Sequence, residues 1–442
     1  MSERAVRDDW ITLAQQWTQG ATLWIPPFLV LAAFMPYLSK AHGVRVENLS
    51  GVLLAAWAGM ILMYRGRVSA ALFPAFAVSV VLFLHVALAT AFGSGLANLK
   101  TGFGRLDHYS RPIAVLLICA TALRAADHDT VEAVFVRCAK LLVLLTTANA
   151  AIQVATIFRN TNWIVAPFRP SAGAFGYNVA EAAAGNARYV GIFNQPLEHG
   201  TVYAIAIILW VWLWHERRLP AWQAIVSLFA IVIGGALAQS KVFLIGGFPG
   251  ALLLFFSRGI RPRDFALMAT GVLVIMVAFT VFLTQWKGAA NIVDFATQLM
   301  NRRLFLYVIS GGRFGGYDYV HMDYGPGAMD ALRASPVYGV GVGTSYMLMD
   351  NEYLMTAAEG GVFALFLVVL RLGLIVLPLL RVRLSSLDGR LLLVLTGVVA
   401  LGSMGGPVTG IPRCGTIVWV FVGTLMLLVA TDPRRLPVMR TG

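Results

Sequence analysis

Charge is what this chain has least of. Only 12% of its 442 residues are Asp, Glu, Lys or Arg, and 58% are hydrophobic. Soluble domains carry about 25% charged residues, so the composition excludes an ordinary water-soluble fold. Acidic groups are the scarcer sign, 21 against 34 Lys and Arg, for a net charge of +13. That surplus does not point to nucleic acid. The arginines punctuate apolar runs and form no basic patch interleaved with aromatics, so they carry topology information. Sustained apolar–polar alternation is missing too, which argues against a membrane barrel. Cysteine is rare: Cys119, Cys138 and Cys414 lie in or beside apolar runs, cannot all pair and form no CxxC. They read as small core residues. Neither HExxH nor a His/Cys cluster occurs, and no Gly-rich Lys-Ser/Thr phosphate cradle does. The sequence therefore predicts no metal and no cofactor.

What the chain has is long apolar runs. Twelve candidate spans stand at roughly 21–39, 49–64, 68–93, 111–124, 131–157, 199–215, 221–238, 242–257, 264–285, 353–379, 390–404 and 415–430. The expected fold is an all-α integral membrane protein of about twelve transmembrane helices in one polytopic domain, 21–430. Residues 1–20 read as a cytoplasmic extension without the cleavage pattern of a signal peptide, and 431–442 as a cytoplasmic tail.

Counting Lys and Arg in the short connections gives the orientation. With the N-terminus inside, sixteen fall on the cytoplasmic side, including Arg65, Arg124, Arg218 and Arg390. Seven fall outside, namely Lys40, Arg45, Lys100, Arg105, Arg111, Lys241 and Arg413. Both termini are then cytoplasmic. Two long polar loops, about 158–198 and 286–350, face outward.

These loops hold the candidate chemistry. Arg188, in ARYVGIFNQPLEHG, is either a snorkelling anchor or a bidentate phosphate ligand. Lys241, in the tight turn AQSKVF, either faces water or lines the mouth of a cavity. Arg313 lies between glycine pairs in SGGRFGGYDYVH, where the backbone can approach a ligand. Arg303 and His321 belong to the same loop. Asp350 and Asn351 precede an apolar run, where Asp or Asn is a natural helix cap. Glu359 lies two turns into that run, where an ionisable group is a functional hypothesis by default.

Four segments in order carry a resemblance: R-x-x-G-x-F-x-x-P at Arg188–Pro196, S-K at Ser240–Lys241, S-P-x-x-G-x-G at Ser335–Gly341, and D-N-x-Y-L-x-x-x-x-E-x-G at Asp350–Gly361. Over about residues 180–370 the chain resembles the O-antigen ligase and O-antigen polymerase superfamily. The resemblance implies a GT-C-like fold in the bacterial inner membrane, with short helices in its periplasmic loops and a periplasmic active site. It implies glycan transfer from an undecaprenyl-diphosphate-linked donor to an acceptor, either another carrier-linked repeat, building O-antigen or exopolysaccharide, or lipid A–core. A chain-length regulator and a flippase are implied partners.

Ligases of this superfamily show His-Asn where this chain has Asp350-Asn351. Aspartate there resembles the polymerase branch. On that reading Asp350, Arg188 and Arg313 are catalytic, and Lys241, Arg303, Tyr353, Asn351, His321 and Glu359 bind substrate. The alternatives are a ligase and, outside the enzymes, a lipid-linked glycan transporter. A transporter would carry internal repeats, and none is evident.

Overall fold

A computed structural model describes residues 20, 22–40, 43–65, 69–93, 106–158, 162–169, 188–257, 328–342, 351–381 and 386–432. The expected span 264–285, most of the second long loop and both termini lie outside the described residues.

The described chain is mostly helical. In order it has α1 (Ile25–Ala33), a hairpin of β1 (Tyr37–Ser39) and β2 (Val44–Arg45), α2 (Val46–Arg65), α3 (Phe73–Phe92), α4 (Asp107–Ala122) and α5 (His128–Phe158). Then come α6 (Pro196–His215), α7 (Ala221–Leu237) and a π-helical turn (Val242–Gly247) running into α8 (Phe248–Phe256). After these follow α9 (Ala328–Ala334), α10 (Glu352–Ile375), α11 (Leu387–Ser403) and α12 (Cys414–Thr431). The described parts of the long loops contain short helices, Asn162–Val165 in the first and α9 in the second.

Five helices are long and apolar enough to cross a membrane: α3, α6, α10, α12 and, within α2, Val46–Tyr64. By length and composition this is a helical membrane protein. Helices α6 and α12 form its interior, buried along almost their whole length. Proline opens several helices, as in α1, α3, α6 and α8. There its missing N–H costs nothing.

Three of the expected runs have irregular backbone. In the run 21–39 the helix stops at Ala33, before Pro36, and the chain turns into the short β-hairpin. The run 242–257 opens with π-helical backbone, where Gly247 lies against α6 so closely that a Cβ would stand 2.5 Å from Ala204 Cα. The run 353–379 is not a straight rod either. Gly361 breaks α10 at φ 70°, ψ −172°. Arg371 Nη2 on the far side of the break lies 3.6 Å from Glu352 Oε1 at the near end. A straight helix would hold these residues roughly 28 Å apart at 1.5 Å per residue. The arms Glu352–Gly360 and Val362–Ile375 therefore fold back on each other at an acute angle.

The bundle has two distinct ends. At one, bonds join the starts of α2, α4, α6 and α12 to the β-hairpin. At the other, Trp212 on α6 donates to Asp388 on α11, Arg218 pairs with Glu132, and Arg390 donates to the Ser257 carbonyl. Arg45, Arg111 and Arg413 thus lie at one end and Arg218 and Arg390 at the other, which is the partition made by the loop charges.

Candidate functional site

The first two motif segments meet at the first end. Tyr189 N–H donates to the Leu237 carbonyl at 3.0 Å. The Arg188 guanidinium donates to the carbonyls of Ala238 and Gln239 at 3.3 and 3.4 Å. Ser240 packs on α6 where Gly200 has no side chain, since a Cβ there would stand 1.8 Å from Ser240 Oγ. Lys241 stands immediately before the π-helical turn. The segment holds its shape through Gly191, at φ 61°, and through Asn149, whose Oδ1 accepts from Ile192 N–H at 2.9 Å.

The last two segments build the fold-back of α10. A break in a membrane helix strands backbone groups that other polar groups must satisfy. Here Val340 and Gly341 N–H donate to the carbonyls of Ala358 and Glu359 at 3.0 and 2.9 Å, and Val362 N–H donates to Pro336. His85 Nε2 on α3 donates to the Gly360 carbonyl at 2.7 Å. Gly361 admits no side chain, because a Cβ would lie 2.1 Å from the Val337 carbonyl. The spacing S-P-x-x-G-x-G followed by E-x-G thus encodes a strap that locks a helix apex.

A pocket opens between the two arms. Glu352, Met355 and Thr356 line it from the first arm, and Val368 and Arg371 from the second. His108 and Tyr109 on α4 and the turn Pro407–Gly410 close it, around about 250 Å³ of empty space that includes some open to solvent. Glu352 is buried and accepts from Ser403 Oγ at 2.8 Å, Thr409 N–H at 3.3 Å and Thr409 Oγ1. Arg371, which is 2% exposed, also stacks on Trp419. Tyr109 donates to Glu359 Oε2 at 2.5 Å.

Beside the pocket lies a buried ionic layer. Arg111 Nη1 bonds Glu47 at 2.7 Å and Thr416 at 3.1 Å, and its Nε reaches the Gly410 carbonyl at 3.1 Å. Arg45 pairs with Glu198 at 3.5 Å, and Asn194 N–H donates to Glu198 at 2.9 Å. Arg413, at φ 59°, donates its backbone N–H to Glu47 at 2.7 Å and its guanidinium to the Ile192 carbonyl.

Three arginines thus face two glutamates. Burial, then the neighbouring Arg45 charge, pushes Arg413 down to about 10. Burial also works against Arg45, but Glu198 and Glu47 outweigh it and hold its pKa above the ordinary value. The glycine-rich turn after α11 ties the layer, the pocket and the Arg188 segment together. A Cβ on Gly406 would stand 2.2 Å from Leu197, and one on Gly402 would stand 3.4 Å from Val242.

Five of the predicted site residues are therefore placed. Arg188 and Lys241 adjoin the 238–241 turn. Asn351 is the cap of α10, its Oδ1 accepting from Tyr353 and Leu354 N–H at 3.0 and 3.1 Å. Tyr353 spends its hydroxyl on the Ala400 carbonyl, 3.0 Å away, tying α10 to α11. Glu359 stands at the apex. Asp350, Arg313, Arg303 and His321 lie outside the described residues.

The sequence reading missed Glu352, Arg371, Tyr109 and His85. An arginine ten residues past a Gly-Gly pair inside an apolar run was the available signal. No group of His, Cys, Asp and Glu suited to a metal occurs among the described residues.

Fold and site together define a helical membrane protein with a polar, arginine-rich site at one end of its bundle. A scan against protein-family models and a search of curated proteins find no match to this chain.

Proposed function

We propose that the protein is a membrane glycosyltransferase of the O-antigen polymerase type. It joins undecaprenyl-diphosphate-linked repeat units on the periplasmic face of the inner membrane. The carrying observation is convergence. The Arg188–Pro196 segment meets the Ser240–Lys241 turn, and the Ser335–Gly341 strap meets the apex of α10. Residues 402–410 touch the first pair through Leu197 and Val242 and line the pocket of the second. In this reading the site end faces the periplasm, and the helices belong to a GT-C-like bundle of about twelve spans.

The chemistry needs no nucleotide. The bond from the donor sugar's anomeric carbon to the diphosphate breaks, and a bond to the acceptor hydroxyl forms. The hydroxyl proton passes to a carboxylate, assigned to Asp350. The diphosphate leaves with growing negative charge. Arg188 and Arg313 stabilise that charge, as fixed cations in a water-poor site do best. Capping does not require Asp350, because Asn351 already caps the helix. Deleting the gene and running the surface polysaccharide on a gel tests the assignment. Single-repeat chains support the polymerase. Bare lipid A–core would mean a ligase, loss of a secreted polymer an exopolysaccharide polymerase, and an unchanged ladder with unchanged secreted polymer would refute all three.

A further inference from the structure

At the end of the bundle away from the Arg188 segment, two cations face out of the protein. Arg137 and Lys140 lie one turn apart on α5, and both are exposed. Among the described residues neither forms an ion pair, and Glu132, five residues before Arg137, is held by Arg218. The 31 residues of α5 span about 46 Å, more than the roughly 30 Å of a bilayer's hydrocarbon. Glu132 stands at the polar end, so Arg137 lies only about 7.5 Å further in and Lys140 about 12 Å. Long basic side chains near that boundary reach back to the headgroups.

Snorkelling alone would leave the Arg137 guanidinium to swing in water. It is instead stacked on Trp24, 4.8 Å from the ring centroid, just before the start of α1. Trp24 is itself exposed, and tryptophan is enriched at the membrane–water boundary. Below these groups the surface turns apolar. Phe28 lies one turn further along α1 on the Trp24 face, and Leu144 one turn beyond Lys140 on the same face of α5. Both are exposed, and α1 packs against α5. Two cations thus stand over exposed apolar surface shared by two helices.

We infer that this face binds one anionic phospholipid of the bilayer. Its phosphate lies between the Arg137 guanidinium and the Lys140 ammonium, and its acyl chains run over Phe28 and Leu144. Charge complementarity selects the headgroup. Each Lys or Arg near a membrane surface attracts anionic lipid by about 1 kcal/mol, which is about fivefold in affinity. The apolar surface directly beneath favours a lipid over a soluble anion, because free phosphate gains nothing from Phe28 and Leu144. The inference needs only that the helices span a bilayer and does not rest on glycan transfer.

The probe is dioleoylphosphatidylglycerol against dioleoylphosphatidylcholine, added in equal amounts to the purified full-length protein in detergent. Native mass spectrometry counts each lipid bound, and thermal unfolding is followed alongside. The parent should retain the anionic lipid about tenfold or more over the zwitterionic one. Arg137→Gln and Lys140→Gln should each lower that preference about fivefold, and the double variant should show none. Because both side chains are exposed, these variants should unfold with the parent. Arg124→Gln/Arg217→Gln removes two exposed charges from the same end of the bundle and should leave the preference unchanged. Equal retention of both lipids by the parent overturns the site and leaves two snorkelling side chains. An equal loss in Arg124→Gln/Arg217→Gln also overturns it, in favour of general attraction to net charge. Inorganic phosphate should not displace the lipid, and displacement would make the occupant a soluble anion and refute the lipid assignment.

Discussion

Replacing Glu352 with glutamine removes the carboxylate that answers Arg371 while leaving nearly the same shape. Both residues are buried, at 4% and 2% exposure. The change loses an ion pair at 3.6 Å and weakens the bonds from Ser403 and Thr409. Breaking a buried pair by removing one partner costs about 3–5 kcal/mol, because the other charge is stranded. Against a typical stability of about 5–15 kcal/mol, that is a large loss. Removing both charges should cost much less, since a buried pair replaced by apolar groups is often close to neutral. The double variant Glu352→Gln/Arg371→Met should therefore be more stable than Glu352→Gln alone, with a coupling of about 1–3 kcal/mol. Unfolding in mixed micelles, followed by far-UV circular dichroism, gives all four stabilities. Strict additivity, with Glu352→Gln near the parent, would mean that the two residues never meet and that α10 does not fold back.

Four further outcomes are expected. Gly361→Ala places a Cβ 2.1 Å from the Val337 carbonyl at φ 70°. It should lose about 1–2 kcal/mol from backbone handedness alone, with the clash in addition, whereas Gly373→Ala, which meets nothing within 4 Å, should be neutral or gain up to about 1 kcal/mol in the same unfolding assay. Arg188→Ala should abolish polymer formation at normal protein levels, and Arg188→Lys should restore it only in part, because lysine keeps the charge and loses the planar fork; polymer gels with immunoblots decide. Asp350→Asn should lower turnover about 10²–10⁴-fold, the usual contribution of a general base, while Asn351→Ala should lose about 1 kcal/mol of stability as a missing cap; normal polymer output from Asp350→Asn would remove it from the chemistry. In spheroplasts, an impermeant thiol reagent should label Lys40→Cys and spare Arg217→Cys, two exposed positions at opposite ends of the bundle, and the reverse pattern would invert the orientation.

Much of the helical layout was legible because apolar run length sets helix length. The run 49–64 appears as Val46–Arg65 and the run 415–430 as Cys414–Thr431. The cysteines are free and buried, as their apolar settings predicted. The fold-back of α10 was hidden because hydrophobicity continues through Gly360–Gly361. What turns the chain there is long-range, namely Pro336, Val340, Gly341 and His85 meeting the stranded backbone groups. Arg45, Arg111 and Arg413 lie at one end of the bundle and were read only as topology. Their partners Glu47 and Glu198 lie far off in sequence, and no local pattern announces a buried ionic layer. The motif spacings have a physical reason: glycines at 339, 341 and 361 mark where backbone crosses backbone without room for a Cβ.

The central claim is glycan transfer between lipid-linked repeats, and reconstitution tests it most directly. Purified protein in liposomes, supplied with polyprenyl-diphosphate-linked repeat units from the producing strain and no nucleotide, should yield a ladder of lipid-linked polymers. Free polyprenyl diphosphate should appear in step with each new linkage. Repeat units recovered unchanged, with folded protein and intact donor, would contradict the account.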